Sequence, residues 1–200
     1  MLFRSVYPAG PYKLLGWSFG GTVAHELAIE LRRRGCVVQR LILLDPALSA
    51  NSTVRNQALD DESQDESRLL DLFLRSRCID IPEQSGPLTY RQAEELIRQQ
   101  GQQGEVVEFV LPPRQLFEFV VQNNNANQLY LLEHVPDVFD GDMIIFSARS
   151  ENDDSSHLQN WRPYVAGDIT VYPVDCGHNE MMTTESLGMY GQQLKLSLEA

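Results

Sequence analysis

A serine in this chain lies in a pattern that is typical of an activated nucleophile. Ser18 is the centre of the run Gly-Trp-Ser-Phe-Gly at residues 16–20, between a short apolar stretch and a helix-forming stretch with small residues on one face. A hydroxyl becomes a useful nucleophile when a sharp strand-to-helix turn holds it above the strand ends. Gly16 and Gly20 lack a Cβ atom, so we expect them to let strand and helix approach closely. The backbone N–H of Phe19, at the predicted helix N-terminus, is a candidate donor to an oxyanion.

A candidate acid follows the next predicted strand. The continuous aliphatic run Cys36–Leu44 is typical of a parallel strand that is buried on both faces. Asp45 comes directly after it, and Pro46 favours extended geometry at Asp45 and ends the strand. The carboxyl ends of strands are where α/β sheets place their active sites. We therefore expect Asp45 to be a catalytic acid rather than an ordinary turn aspartate.

A candidate base lies near the end of the chain. His178 comes after the alternating run Ile169–Val174, which predicts a strand, and directly follows Gly177. The chain order serine, acid, histidine is that of one known group of catalytic triads, in which histidine takes the proton of the serine hydroxyl. The sequence therefore predicts a triad of Ser18, Asp45 and His178.

The elements that would position these residues alternate between strands and helices at both ends of the chain. The predicted strands are Lys13–Trp17, Cys36–Leu44, Asp142–Ala148 and Ile169–Val174, and the predicted helices are Gly20–Arg34 and Thr183–Leu198. This alternation predicts an α/β fold with a mostly parallel sheet and helices on both faces. In the first helix, the spacing of four apolar residues predicts a face toward the sheet: Val23, Leu27, Ala28 and Leu31. For His25 and Glu26 in this helix we expect structural or surface roles, since the spacing is not that of a zinc protease.

The middle of the chain is acidic and helical. Helices are predicted at Leu69–Arg75, from a Thr89-x-x-Gln92 capping box to about Gln100, and after Pro113, with a break or kink at the asparagines of residues 123–127. So many helices exceed a single crossover connection and are typical of an inserted lid, which gates access to a site. The predicted organisation is a core at 1–50, a helical lid at 51–135 and a second core segment at 136–200.

Composition excludes several classes of function. The chain has 200 residues with a net charge of −12, which disfavours nucleic acid and anionic membranes as partners. No apolar run is long enough for a membrane span or a signal peptide, so we expect a cytoplasmic location. Three widely spaced cysteines have neither a disulfide framework nor zinc-site spacing, and we expect no metal.

Together these residues resemble the releasing (type I) thioesterase domains of nonribosomal peptide synthetases, which have the α/β-hydrolase fold. The likeness extends over nearly the whole chain and points first to synthetases of the siderophore type. The runs that carry it are residues 10–21 for the nucleophile block, 41–45 for the acid block, 139–146 for the following strand and 176–182 for the histidine block.

The resemblance implies a mechanism and a partner. His178 would deprotonate Ser18, which would attack a peptidyl or acyl thioester on the phosphopantetheine arm of a neighbouring carrier domain. Asp45 would orient His178, and the Phe19 amide would hold the oxyanion. Water or a nucleophile within the peptide would then release the acyl-enzyme as a linear or cyclic product. No cofactor or metal would be bound directly.

Two departures from the family pattern bear on these expectations. Related hydrolases often carry the acid after the following strand, which makes Asp153 or Asp154 a rival to Asp45, although the family spacing favours Asp45. The family also has several strands before the nucleophile, including a loop with a second oxyanion donor, so the chain resembles an N-terminally truncated domain with weak activity. An uncovered sheet edge at Lys13–Trp17 would then allow two copies to pair as a dimer.

Two other functions fit the same sequence. The first is a stand-alone editing thioesterase or general carboxylesterase that uses the same triad. The second is a non-catalytic docking module whose acidic helical segment binds a partner.

Overall fold

The computed structural model of the protein describes residues 10–48, 62–75, 79–82, 86–102, 110–149 and 156–199. The chain forms two compact units, one of Met1–Ala50 with His134–Ala200 and the other of Asn51–Glu133. The described part contains six α-helices: α1 (Phe19–Arg33), α2 (Glu62–Arg75), α3 (Tyr90–Gln102), α4 (Arg114–Glu133), α5 (Ser156–Trp161) and α6 (Thr184–Glu199). None of the described helices is long and apolar enough to cross a membrane.

The first unit is built on a parallel sheet. Its described strands are β1 (Tyr12–Trp17), β2 (Val38–Leu44), β3 (Met143–Ala148) and β4 (Ile169–Val174), and they lie in the order β1-β2-β3-β4. Every adjacent pair is parallel, as predicted. Because all four strands point the same way, the segments that follow β1, β2 and β4 meet at one edge of the sheet. Ser18, Asp45 and His178 lie in these segments.

Helices cover both faces of this sheet. Successive side chains of β2 point to opposite faces, so Leu41 and Leu43 join one core cluster whereas Ile42 and Leu44 join another. Helix α1 contributes Ala24, Ala28, Ile29 and Leu31 to the first cluster, and α6 contributes Tyr190 to the second. The predicted α/β architecture with helices on both faces is therefore confirmed.

The predicted inner face of α1 is wrong at one position. Val23 is 46% exposed, whereas Ala24, Ala28 and Leu31 are buried. The buried stripe is thus rotated by about one residue from the predicted one, and Leu27 lies at its margin, partly buried against the core. The helix packs on the sheet through Ala24, Ala28 and Leu31, which lie with Ile29 in the first core cluster, and this packing decides which side of the helix is buried.

The second unit is a small helical cluster. Its core contains residues from α2, α3, α4 and the segments between them: Leu70, Leu74, Ile79, Leu88, Tyr90, Ala93, Leu111 and Phe117. The predicted capping box is confirmed, because the Thr89 N–H donates to Gln92 Oε1 at 2.8 Å and the Gln92 N–H donates to Thr89 Oγ1 at 3.4 Å. Whether this unit acts as a lid stays a prediction.

The predicted break at residues 123–127 is wrong. Helix α4 runs without interruption through this run of asparagines and alanine. Asparagine lowers helix propensity only modestly, and the run contains neither proline nor glycine. Phe117 and Leu131 are buried on either side of it, and this packing outweighs the weak local preference.

Candidate active site

Ser18 lies at a strained turn between β1 and α1. Its φ of 52° and ψ of −125° place a residue with a side chain in a conformation that normally favours glycine. The backbone is held by three hydrogen bonds, because the Ser18 N–H donates to the Leu44 carbonyl at 3.0 Å and the Ser18 carbonyl accepts from the N–H groups of Gly21 and Ala47. These contacts stabilise the turn that presents the Ser18 hydroxyl above the sheet edge.

Glycine at position 16 is required by the close approach of β1 and α1. A Cβ atom on Gly16 would lie 2.1 Å from the carbonyl oxygen of Gly20, and one on Gly21 would lie 2.8 Å from Cβ of Pro46. A Cβ on Gly20 would meet nothing within 4 Å. The expectation that Gly20 also lets strand and helix approach closely is therefore wrong. Gly16 must lack a Cβ because the Gly20 backbone lies so near, whereas a Cβ on Gly20 would contact no other residue.

Asp45 follows β2 and is anchored to the next strand. Its N–H donates to the Phe146 carbonyl at 2.7 Å, and its Oδ1 accepts a hydrogen bond of 2.9 Å from the Ala148 N–H. Its φ is 41°, so the extended geometry expected at Asp45 is wrong; the conformation is left-handed, which aspartate tolerates better than most residues. The hydroxyl of buried Thr22 donates to the Ala47 carbonyl, which ties the segment after Asp45 to α1.

His178 follows β4 and joins the two preceding residues. Its Nδ1 lies 2.5 Å from Oδ2 of Asp45, and its Nε2 lies 2.9 Å from Oγ of Ser18. The loop is braced by Glu180, whose carboxylate accepts a hydrogen bond of 2.9 Å from the Gly177 N–H. Three residues that the sequence singled out, separated by up to 160 positions, are thus connected, because His178 lies within hydrogen-bonding distance of both Asp45 and Ser18.

This arrangement fixes the direction in which a proton can move. The Asp45 carboxylate can only accept, so Nδ1 of His178 carries the hydrogen that is donated to it. In that tautomer, Nε2 is an acceptor and faces the hydroxyl of Ser18. The side chain of Asp45 is 12% exposed and that of His178 is 40% exposed. Asp45 is therefore largely shielded from water, while His178 is open to an incoming reactant.

The sequence analysis did not find one contact at this site. The indole of Trp17 is stacked on the imidazole of His178, with ring centroids 5.5 Å apart and an angle of 26° between the ring planes. The alternation of side chains along β1 shows which face of the strand Trp17 occupies, but no local pattern shows that His178 lies against that face.

The other predicted candidates have different outcomes. Phe19 is the first residue of α1, so its N–H is at the helix N-terminus, and its oxyanion role stays a prediction. Asp153 and Asp154 lie outside the described residues. No group of three or more His, Cys, Asp or Glu side chains that could hold a metal ion occurs in the described ranges.

His25 is structural, one of the two roles expected for it. The side chain is buried against Trp161 and Phe139, and its Nε2 lies 3.0 Å from the carbonyl oxygen of Tyr164, to which it donates. Burial lowers the pKa of His25 below its ordinary value. Glu26, next to it, accepts a hydrogen bond of 3.0 Å from Nε2 of His134.

The model of the thioesterase domain family matches residues 2–194 of this chain. Malpinin synthetase of Mortierella alpina is 33% identical over 198 residues, which cover 98% of this chain and 2% of that protein. A probable non-canonical nonribosomal peptide synthetase of Salinispora arenicola, CymA, is 32% identical over 200 residues, again with 98% and 2% covered. The chain therefore spans only a small fraction of the length of the curated relatives it matches.

The fold is shared with solved thioesterase domains. The structure of the NocB thioesterase domain from the nocardicin cluster superposes with a TM-score of 0.63 at 21% identity, and the match covers 100% of this chain and 69% of that one. The parallel sheet, with helices on both faces and a serine at the turn after a strand, is that of the α/β-hydrolase fold.

Proposed function

This chain belongs to the thioesterase domain family, and we propose that it releases a peptidyl or acyl chain from the phosphopantetheine arm of a carrier domain. The observation that carries the proposal is the continuous line of hydrogen bonds from Ser18 Oγ to His178 Nε2 and from His178 Nδ1 to Asp45 Oδ2. This is the arrangement that nucleophilic attack by a serine requires.

Acylation begins with proton transfer from Ser18 to His178. The Ser18 oxygen attacks the thioester carbonyl while Nε2 of His178 takes the hydroxyl proton, and the Asp45 carboxylate stabilises the imidazolium that forms. The Phe19 N–H donates to the oxyanion of the tetrahedral intermediate. The C–S bond then breaks, and His178 returns the proton to the departing thiolate. The products are the free phosphopantetheine thiol and an ester on Ser18.

Deacylation uses the same base in reverse order. His178 removes a proton from water, or from a hydroxyl or amine of the bound chain itself, and this nucleophile attacks the Ser18 ester. Breakdown of the second intermediate returns the proton to Ser18. Water gives a linear acid, whereas an internal nucleophile gives a macrocycle. The helical unit, acting as a lid, would determine how much water reaches the ester.

The partner in this proposal is a carrier domain within, or docked to, a nonribosomal peptide synthetase. Two of the similar proteins are named as synthetases, and one of these as a nonribosomal peptide synthetase. A synthetase of the siderophore type and a cytoplasmic location belong to the same proposal. The chain itself binds no cofactor, because the phosphopantetheine is attached to the carrier.

Self-association through β1 is a separate proposal about assembly. Among the described strands, β1 lies at one edge of the sheet, and its side chains Leu15 and Trp17 are 42% and 36% exposed. An exposed strand edge with apolar side chains favours pairing with a second copy. Light scattering at several concentrations tests this, with a dimer expected and a monomer at all concentrations contradicting it.

A matched pair of substrates tests the proposed function. The same acyl group is supplied as a thioester on the phosphopantetheine arm of a carrier domain and as a free p-nitrophenyl ester, with the Ser18→Ala variant as control. We expect the wild type to have a higher kcat/KM on the carrier-bound substrate than on the free ester. The Ser18→Ala variant should turn over neither substrate. Equal or faster reaction of the free ester indicates a general carboxylesterase. No turnover of either substrate, with no labelling of Ser18 by a fluorophosphonate, indicates a docking module.

A further inference from the structure

Trp17 couples the strand that carries the nucleophile to the catalytic base. It is the last residue of β1 and directly precedes Ser18. Its indole and the imidazole of His178 form a stacked pair with a centroid distance of 5.5 Å, which is within the range of favourable aromatic contacts. The residue beside the nucleophile is therefore also in direct contact with the base.

The imidazole is held by two hydrogen bonds, one from Nδ1 to Asp45 and one between Nε2 and Ser18. The side chain of His178 is 40% exposed, so the rest of the chain encloses it incompletely. The stacked indole covers one face of the ring and restricts rotation of the side chain toward that face. It therefore adds to the restraint that the two hydrogen bonds supply.

The same contact stabilises the imidazolium that forms during acylation. When Ser18 attacks, the imidazole becomes an imidazolium, and the face of an indole carries the negative part of its quadrupole. The attraction between indole and imidazole is thus stronger in the transition state than before proton transfer. Only interactions that strengthen in this way accelerate the chemical step.

We propose that Trp17 is a positioning residue for His178, which holds the imidazole plane in line with Ser18 and Asp45 and stabilises the imidazolium during acylation. This inference rests on the proposed function. It assigns a role to the residue before the nucleophilic serine, and that role depends on the aromatic face of the side chain.

The test compares three variants with the wild-type chain in the rate at which a fluorophosphonate labels Ser18. Trp17→Leu removes the aromatic face, Trp17→Phe keeps part of it, and Leu15→Ala is the matched control. Leu15 lies two residues earlier in β1, where side chains point to the same face, and its exposure is similar. We expect labelling by Trp17→Leu to be slower by about 3- to 30-fold, Trp17→Phe to lie between it and wild type, and Leu15→Ala to match wild type.

A second measurement separates positioning from a general effect on folding. The chain has four histidines, so the ring protons of His178 can be assigned by NMR through their loss in His178→Ala. Stacking on Trp17 should shift them upfield, and Trp17→Leu should remove this shift while the thermal midpoint changes little. If the wild type labels at Ser18 and Trp17→Leu labels at the same rate, this inference alone is overturned. A wild-type chain that fails to label at Ser18 overturns the proposed function and this inference together.

Discussion

The backbone N–H of Ala148 donates a hydrogen bond of 2.9 Å to Oδ1 of Asp45, so strand β3 holds the carboxylate that follows β2. The other oxygen, Oδ2, lies 2.5 Å from Nδ1 of His178. Each carboxylate oxygen therefore has its own donor, and the direction of the acid is determined by the parallel sheet. Asparagine, the neutral analogue of this side chain, has only one oxygen and can replace only one of these two acceptors.

Replacing Asp45 by asparagine should remove activity without unfolding the protein. The amide oxygen would keep the bond from Ala148, which leaves the NH₂ group facing Nδ1 of His178. That nitrogen would then have to accept, and the proton would move to Nε2, which could no longer accept from Ser18. We expect kcat to fall by about 10³- to 10⁴-fold with a nearly unchanged thermal midpoint. Steady-state kinetics and thermal unfolding measure both quantities.

The control for this substitution is Asp175→Asn, since Asp175 is an exposed aspartate three residues before His178. It should retain wild-type turnover. If Asp45→Asn kept turnover within tenfold of the wild type, the acid would have to lie elsewhere, for example among the residues near 153 and 154.

Substituting alanine for Gly16 should destabilise the fold and displace the nucleophile. The new Cβ would lie 2.1 Å from the backbone oxygen of Gly20, which no side-chain rotation can relieve. We expect a loss of about 3 kcal/mol or more in the free energy of unfolding, measured by urea denaturation. Gly188→Ala is the control, because a Cβ there meets nothing within 4 Å inside helix α6. It should stabilise by about 0.5–1 kcal/mol; equal behaviour of the two variants would contradict the packing argument.

Removing the carboxylate of Glu180 should slow the reaction through the loop that carries His178. Glu180 accepts the Gly177 N–H at 2.9 Å and fixes the backbone directly before the base. We expect Glu180→Ala to lower kcat by about 3- to 10-fold and Glu180→Gln, which keeps an acceptor oxygen, to recover most of it. Glu185→Ala, an acidic residue in the first turn of α6, serves as control. Comparable losses in Glu180→Ala and Glu185→Ala would show that charge, not the hydrogen bond, matters.

Buried His25 should make the protein less stable at acidic pH. Burial lowers the pKa of His25 below 6.5, and its hydrogen bond with the Tyr164 carbonyl and the charge of Glu26 offset this only in part. Between the two pKa values the unfolded chain binds a proton that the folded chain does not, so the free energy of unfolding falls as pH drops below about 6.5. The slope from one proton is at most about 1.4 kcal/mol per pH unit.

Urea unfolding of the wild type and of His25→Gln between pH 5 and pH 8 measures this contribution. The variant should be less stable at pH 8 because the core is disturbed, but its stability should decline less on acidification. Parallel curves for the two proteins would mean that His25 binds its proton equally in both states.

The candidate nucleophile and its two candidate partners could be predicted from the sequence because each has a local signature. Ser18 has glycines at fixed spacing, Asp45 follows a buried parallel strand, and His178 follows an alternating one. Parallel strands bring their carboxyl ends to one edge whatever the connections between them. Local patterns and one rule of sheet topology were therefore sufficient to predict that these three residues lie close together.

The parts that sequence reasoning missed depend on packing between distant segments. Nothing near Trp17 indicates that His178, far along the chain, will lie against its indole. The exposure of Val23 and the continuity of α4 through residues 123–127 are likewise decided by tertiary contacts that outweigh local preference.

The most direct test of the central claim is fluorophosphonate labelling followed by peptide mass mapping, on the wild-type chain and on Ser18→Ala and His178→Ala. If Ser18, His178 and Asp45 form an activated triad, as their hydrogen bonds indicate, the wild type labels on the peptide that contains Ser18 and both variants lose the label. Labelling that persists in His178→Ala at the wild-type rate, or that maps to another serine, would contradict the account.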